Sequence, residues 1–254
     1  MCVTAIAWRA HPRWHLVVIA NRDEFHARPS APLAGWGDGS GTIAGRDLRS
    51  GGTWLGIRPA AGRFALVTNR RGYGDPDPAR ASRGGLVVAL LRDAGDEETG
   101  PPALDRYNPF NVLAVAGGAL RFLTNRPLPL STPLPSGIYG LSNGALDEPW
   151  PKTLALKSAL LAWLAADVDR FESLFGALAG ERLPDAGIHP ATASDVSAEP
   201  RDTAPFIRDA RYGTRCSTVI AIDRDGHGRI VERRFGPDAV PAGDSSVGFR
   251  WEQA

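Results

Sequence analysis

The sequence predicts an α+β fold, and three observations lead to it. Strand-like apolar segments come in pairs joined by Gly- or Pro-containing turns near both ends of the chain. The clearest helical run lies between them. Close hairpins imply antiparallel pairing, which argues against a doubly wound parallel sheet. No internal repeat or linker interrupts the 254 residues, so one domain spanning 1–254 is expected.

The elements follow in order. Val3–Trp8 and Trp14–Ala20 are β-branched and aromatic, and "RAHPR" between them carries the proline of a turn. Gly and Pro crowd 28–41, which reads as loop. "TWLGI" (Thr53–Ile57) and "FALVTN" (Phe64–Asn69) form a second hairpin around "RPAAG". "GGTWLG" lacks the lysine and following helix of a phosphate loop. Ala79–Leu91 has helical spacing with Ser82 as a cap, although Gly84 and Gly85 weaken its start. Asn111–Gly117 and Ala119–Asn125 make another strand pair, and Gly137–Asn143 a further strand. Trp150–Ala165 is the strongest helix, with Pro151 at its first position and an apolar stripe through Leu154, Leu161 and Leu164. Lys152, at its start, is expected on the surface. A second helix runs from Asp169 to Leu178 and ends at Gly180, and 183–204 reads as a long surface loop. "RCSTVIAID", the turn "RDGHG" and "RIVERRF" form the last hairpin, followed by a short "GFRWE" strand.

Composition narrows the function classes. Hydrophobic residues make up 43% and charged residues 22%, enough for a sizeable core. With 29 basic against 28 acidic residues, no charge excess recruits nucleic acid or an anionic membrane. No apolar run approaches the ~20 residues of a membrane helix, and the N-terminus lacks the pattern of a secretion signal. Two cysteines with no Cys-x-x-Cys spacing make neither a disulfide framework nor a zinc site. A reducing, cytoplasmic setting is expected, where a Cys2–Cys216 disulfide would not persist.

Cys2 is the chemical centre of the sequence. Removal of Met1 would leave a thiol and an α-amine on one residue. An α-amine titrates near pH 7.7–8.0, so it can accept the thiol's proton and activate the sulfur without a distant histidine. If the first two strands form a hairpin, "NRDE" (Asn21–Glu24) lies beside Cys2. Asp23 and Glu24 would then hold the α-ammonium, and Arg22 would favour the thiolate.

Met1-Cys2, "NRDE", "GGTWLG", "TN" (Thr68-Asn69), "LSN" (Leu141–Asn143) and "YGTR" (Tyr212–Arg215) together resemble the transport and Golgi organisation protein 2 family, also called the NRDE family. The resemblance runs from Met1 to about Phe235. It implies the N-terminal-nucleophile hydrolase fold, a four-layer αββα sandwich of two antiparallel sheets. It also implies a layout similar to the cysteine branch of bile-salt and penicillin amidases. On that likeness the catalytic residues are Cys2 as nucleophile, Arg22, Asp23 and Glu24 beside it with their individual roles open, Asn69 and Asn143 at the oxyanion hole, and Arg215 nearby. Neutral asparagine donors suit a developing oxyanion, each being worth about 2.7–4 kcal/mol of barrier. Cys216 stands where relatives often carry serine. Trp54 is either a wall of a substrate pocket or a core residue, the latter favoured.

Two functions follow from the resemblance. One is a cysteine hydrolase of an amide or a thioester, needing no cofactor. The other is a carrier or chaperone for haem or an acyl lipid on the same fold. The expected partner is a small apolar or amphipathic ligand.

Overall fold

A computed structural model describes residues 2–92, 103–183, 194, 196 and 203–252. The expected surface loop 183–204 lies largely outside them. Among the described residues the chain builds two antiparallel sheets and three α-helices, the α+β class read from the pattern. It divides into two compact units, residues 1–27 with 136–248, and residues 28–135 with 249–254.

The sheet built on the first unit contains β1 (Cys2–Trp8), β2 (Trp14–Phe25), β10 (Gly137–Leu141), β11 (Tyr212–Asp223), β12 (His227–Phe235) and β13 (Pro241–Arg250). Their spatial order is β10-β1-β2-β11-β12-β13. The expected β1–β2 hairpin is present, but β2 does not stop at Ala20. It runs on through Asn21–Phe25, because β11 pairs with it as far as Tyr212↔Phe25. The polar run is thus part of a central strand. β13 likewise begins at Pro241, well before the short terminal strand expected.

Two helices, α2 (Pro151–Ala166) and α3 (Glu172–Leu178), cover one face of this sheet. Val3, Ala5, Val17, Ile19 and Val219 meet Leu156, Leu160, Trp163 and Leu174 there. The period-two alternation of the strands meets the 3.6-residue stripe of the helix. The buried stripe of α2 differs from the expected one: it runs Lys152, Thr153, Leu156, Leu160, Trp163 and Leu164, whereas Leu161 is 57% exposed. α2 seats closely because β10 has Gly140 beneath it; a Cβ there would lie 3.1 Å from the Thr153 side chain.

In the second unit the order is β3 (Ser30–Gly35), β4 (Ile43–Asp47), β5 (Leu55–Arg58), β6 (Arg63–Asn69), β7 (Phe110–Ala116), β8 (Ala119–Thr124) and β9 (Leu130–Pro133), each antiparallel to its neighbour. The stretch expected as loop therefore contains β3 and leads into β4. Gly and Pro are tolerated there because β3 is an edge strand with a register shift. α1 (Arg83–Leu91) packs Leu86, Val87 and Leu91 against Ala65, Val67 and Val112. Ser82 occupies its N-cap position but makes no capping side-chain bond.

The glycine pairs explain each other. A Cβ on Gly52 would stand 2.5 Å from the Gly84 carbonyl carbon, and the Thr53 N–H donates to the Gly84 carbonyl at 3.3 Å. Two backbones touch where "GGTWLG" meets the first turn of α1, so both segments must lack side chains.

Candidate functional site

Cys2 opens β1 on the central strand pairing of the first sheet. Its register partner on β2 is Arg22, and the register partner of Arg22 on β11 is Cys216. Residues directly opposite one another share a face. Cys2, Arg22 and Cys216 therefore form one row across three strands, with the guanidinium-bearing residue in the middle. On the other side, β1 pairs with β10 through Thr4↔Leu141. β10 ends at Leu141, and Ser142 and Asn143 follow it directly. The Ser142 hydroxyl clasps this junction, donating to the Cys2 carbonyl at 2.8 Å. Asn143 is fully buried, and its Oδ1 lies 3.4 Å from the Ser142 hydroxyl oxygen.

The Cα atoms of Cys2 and Cys216 are two inter-strand spacings apart, about 9–10 Å. That exceeds the ~7 Å limit for bridging without moving backbone, and both are free. Cys2 is half-buried whereas Cys216 is buried. Burial pushes the Cys2 thiol up, and the Asp23 charge adds to the rise. The chain's terminal ammonium, a hydrogen bond from the Asp23 backbone and the Arg22 charge pull it down. Arg22 thus acts in the direction expected from the sequence, but burial outweighs it. Burial also raises Cys216 well above a free thiol, and its hydrogen bond to the Glu232 carboxylate reinforces this.

The four residues of "NRDE" do four different things because β2 alternates. Asn21 and Asp23 share the parity of Ile19, the helix-covered face, while Arg22 shares that of Cys2. The Asn21 amide is wholly buried; its Nδ2 donates to the Leu178 carbonyl at 2.7 Å and the Pro205 carbonyl at 2.8 Å. Its Oδ1 accepts from the Ser217 hydroxyl at 2.7 Å. This saturates the side chain and makes Asn21 a structural tie. Asp23 is buried and accepts from the Thr214 hydroxyl at 2.7 Å. Burial raises its carboxyl; the chain's terminal ammonium, the Thr214 bond, Lys152 and Arg22 oppose the rise. Glu24 stands half-buried, 3.9 Å from the Arg22 guanidinium, and accepts from the Phe25 N–H.

Arg215 occupies a β-bulge. Thr214 pairs with Asp23 and Cys216 with Arg22, so Arg215 is the extra residue between them. Its Nη1 donates to the carbonyls of Phe25 at 2.9 Å and His26 at 3.2 Å, which fastens the end of β2. The structure thus gathers Cys2, Arg22, Asp23, Glu24, Asn143 and Arg215 at one end of the first unit's sheet. Asn69, an exposed residue ending β6, and Trp54 belong to the second unit. Trp54 is partly buried and packs on the core beneath α1.

Three residues of the site escaped the sequence reading. Ser142 sits inside the quoted "LSN" and was passed over for its neighbour. Thr214 sits likewise inside "YGTR". Lys152, expected at the surface, is only 1% exposed. Its Nζ donates to the Thr203 hydroxyl at 2.7 Å and lies 5.3 Å from the Trp150 ring centroid. A charged residue at a helix start reads as solvated unless the packing partner is known.

Among the described residues no helix is long and apolar enough to cross a membrane. The family model for Transport and Golgi organisation 2 matches residues 1–237. The chain is 33% identical over 260 residues to the human protein described as "Transport and Golgi organization protein 2 homolog", with 92% of each chain covered. It is 32% identical to the mouse homologue with the same coverage, and 26% identical to the Drosophila melanogaster "Transport and Golgi organization protein 2" with 91% of each covered. The chain belongs to the Transport and Golgi organisation 2 family.

Proposed function

We propose that this member of the family is a cysteine hydrolase of the N-terminal-nucleophile type, cleaving an amide or a thioester with Cys2 after Met1 is removed. The observation that carries the reading is the row Cys2–Arg22–Cys216, with buried Asn143 next to the Ser142 that clasps the Cys2 carbonyl and buried Asp23 next along β2. A surface strand end would not collect these groups out of water.

In this reading the Cys2 thiol passes its proton to its own α-amine, and the sulfur attacks the substrate carbonyl carbon. Negative charge builds on the carbonyl oxygen, where the Asn143 amide is a fixed neutral donor. The intermediate collapses with cleavage of the C–N or C–S bond. The leaving group departs with the proton held by the α-ammonium. Water then attacks the acyl-thioester, releasing the carboxylic acid and restoring the thiol. Asp23 orients the ammonium, and Arg22 steadies the thiolate. No cofactor enters these steps, and a reducing cytoplasm would keep both thiols free.

The second reading is a carrier for haem or an acyl lipid. The upward-shifted Cys2 thiol favours it, since less thiolate is available for attack. Intact mass separates the two, measured with a thiol-directed acylating probe on the wild type and on Cys2→Ala. The hydrolase reading expects a mature chain lacking Met1 and one acyl adduct that Cys2→Ala abolishes. A mature mass retaining Met1 with no adduct at Cys2 overturns it. A haem titration followed by absorbance tests the carrier, which fails if micromolar haem leaves the spectrum unchanged.

A further inference from the structure

The turn between β10 and α2 buries two polar atoms that the fold leaves unmatched. Oε1 of Glu148 and Nε1 of Trp150 are out of water and have no hydrogen-bond partner among the described residues. Trp150 is 3% exposed, and Glu148 is half-buried. The first atom is an acceptor on a carboxylate and the second a donor. Burying either without a partner is costly in a folded protein. Local structure does not account for them. The other Glu148 oxygen, Oε2, accepts from the Ala145 N–H at 2.8 Å, which closes the turn and leaves Oε1 over. Trp150 holds the N-cap position of α2, and no side chain caps that helix. No ion pair reaches Glu148 among the described residues, and Lys157 pairs with Asp147 instead, at 2.7 Å.

Both side chains converge on Gly144. A Cβ there would overlap the Glu148 carboxylate and stand 2.7 Å from Cζ2 of Trp150, the neighbour of the ring carbon bonded to Nε1. Gly144 directly follows Asn143, and the Ser142 hydroxyl before them donates to the Cys2 carbonyl at 2.8 Å. The pair thus lies two residues beyond the clasp on Cys2, a reach of about 7 Å at most along the chain. The turn is fixed from behind. The Thr153 hydroxyl donates to the carbonyls of Glu148 at 3.1 Å and Trp150 at 2.8 Å, and the Asp147 carboxylate accepts from the Gly140 N–H at 2.7 Å. Ala145 and Asp147 are exposed, so solvent reaches this turn.

We propose that Glu148 and Trp150 form a recognition subsite for an α-amino carbonyl group, with the ammonium on Glu148 Oε1 and the carbonyl oxygen on Trp150 Nε1. This names a substrate class for the hydrolase and rests on that reading for its use: an amide or thioester that carries a free α-amine. A carboxylate oxygen beside an aromatic ring suits a primary ammonium. An indole N–H donates only, so it selects an oxygen. A ligand with both groups matches the unpaired acceptor and the unpaired donor together. A neutral amide brings no charge to Glu148, and an anion is repelled by it.

The test reads the indole and needs no turnover. The probe is glycinamide, which has the ammonium and the carbonyl without a carboxylate. Nuclear magnetic resonance follows the indole N–H signals of protein isotope-labelled at its tryptophans, and Trp150→Phe identifies the Trp150 signal. Millimolar glycinamide is expected to shift that signal saturably. Acetamide, which lacks the ammonium, leaves it in place, and methylammonium, which lacks the carbonyl, moves it less. Glu148→Gln keeps the size and removes the charge, and should weaken glycinamide binding about tenfold or more. A Trp150 signal unmoved by glycinamide overturns the proposal. So does an equal shift with acetamide or methylammonium, or an unchanged affinity in Glu148→Gln; the turn would then hold no more than ordered water. A thermal melt checks the variant, and should Glu148→Gln fail to fold, the three probes on the wild type decide alone. Absence of an acyl adduct at Cys2 would defeat the hydrolase reading and leave this binding result standing, whereas an unmoved indole signal defeats the subsite and leaves the hydrolase reading as it is.

Discussion

Replacing Asn21 with alanine separates the structural half of the "NRDE" run from its chemical half. The side chain makes three buried hydrogen bonds, to the carbonyls of Leu178 and Pro205 and from the Ser217 hydroxyl. Alanine can make none of them. At a net ~1 kcal/mol per bond the loss is about 3 kcal/mol, and groups left buried without a partner raise it toward about 5 kcal/mol. That is a large part of the 5–15 kcal/mol typical of a folded protein. For a chain of this size roughly 2–4 °C is lost per kcal/mol, so the melting temperature should fall by roughly 6–20 °C. Ser217→Ala removes only one of the bonds and should cost about 1 kcal/mol. The two changes share a contact, so the double variant should lose less than the sum. Differential scanning calorimetry or urea unfolding checks each figure. An Asn21→Ala protein melting within about 2 °C of the wild type would refute the assignment of Asn21 as a tie. So would equal losses for Asn21→Ala and Ser217→Ala.

Three further outcomes are expected. Burial, aided by the Arg9 and Arg224 charges, pushes His15 down from 6.5 to about 4, so the folded protein holds it neutral while the unfolded chain protonates it near 6.5. Stability from this group is complete above about pH 6.5, falls as pH drops toward about 4, and changes little below; the loss is at most about 3 kcal/mol. His15→Phe, which keeps the edge-on stacking with Trp8, should flatten that part of a stability-versus-pH curve. Glycines 52 and 85 should respond with opposite signs in thermal melts. Gly52→Ala drives a methyl into the Gly84 backbone and should cost about 1–3 kcal/mol, whereas Gly85→Ala meets nothing within 4 Å inside α1 and should gain about 0.5–1 kcal/mol. At mildly alkaline pH, iodoacetamide should modify half-buried Cys2 well before buried Cys216, and peptide mapping that finds Cys216 labelled first would contradict the description of both thiols.

Several parts of the fold could be read from local chemistry. β1, the start of β2, the β5–β6 and β7–β8 hairpins and α2 declare themselves because alternation or helical spacing is a property of a short window. The misread parts depend on neighbours. β3 hides among glycines and prolines because an edge strand with a shifted register leaves room for both. The second half of β2 looks like a polar strand end until β11 is seen pairing along all of it. In α2, leucines occur on more than one face, so spacing alone did not show that Leu156 and Leu160 face the sheet while Leu161 faces solvent.

The site divides in the same way. By itself the sequence determined that a thiol follows Met1, that a polar cluster can pair beside it, and that six ordered motifs mark the family. These depend on residue identity and short spacing. Only the tertiary structure decided which groups share a face with that thiol. The pleat of β2 sends Arg22 toward Cys2 and Asn21 toward α3, and a one-residue bulge at Arg215 resets the register that would otherwise have aligned it. Lys152 is buried because α2 lies across the sheet at that point. Residues 191 positions apart, Asp23 and Thr214, share a hydrogen bond through a fold whose pairing energies act at a few ångströms and take no account of distance along the chain.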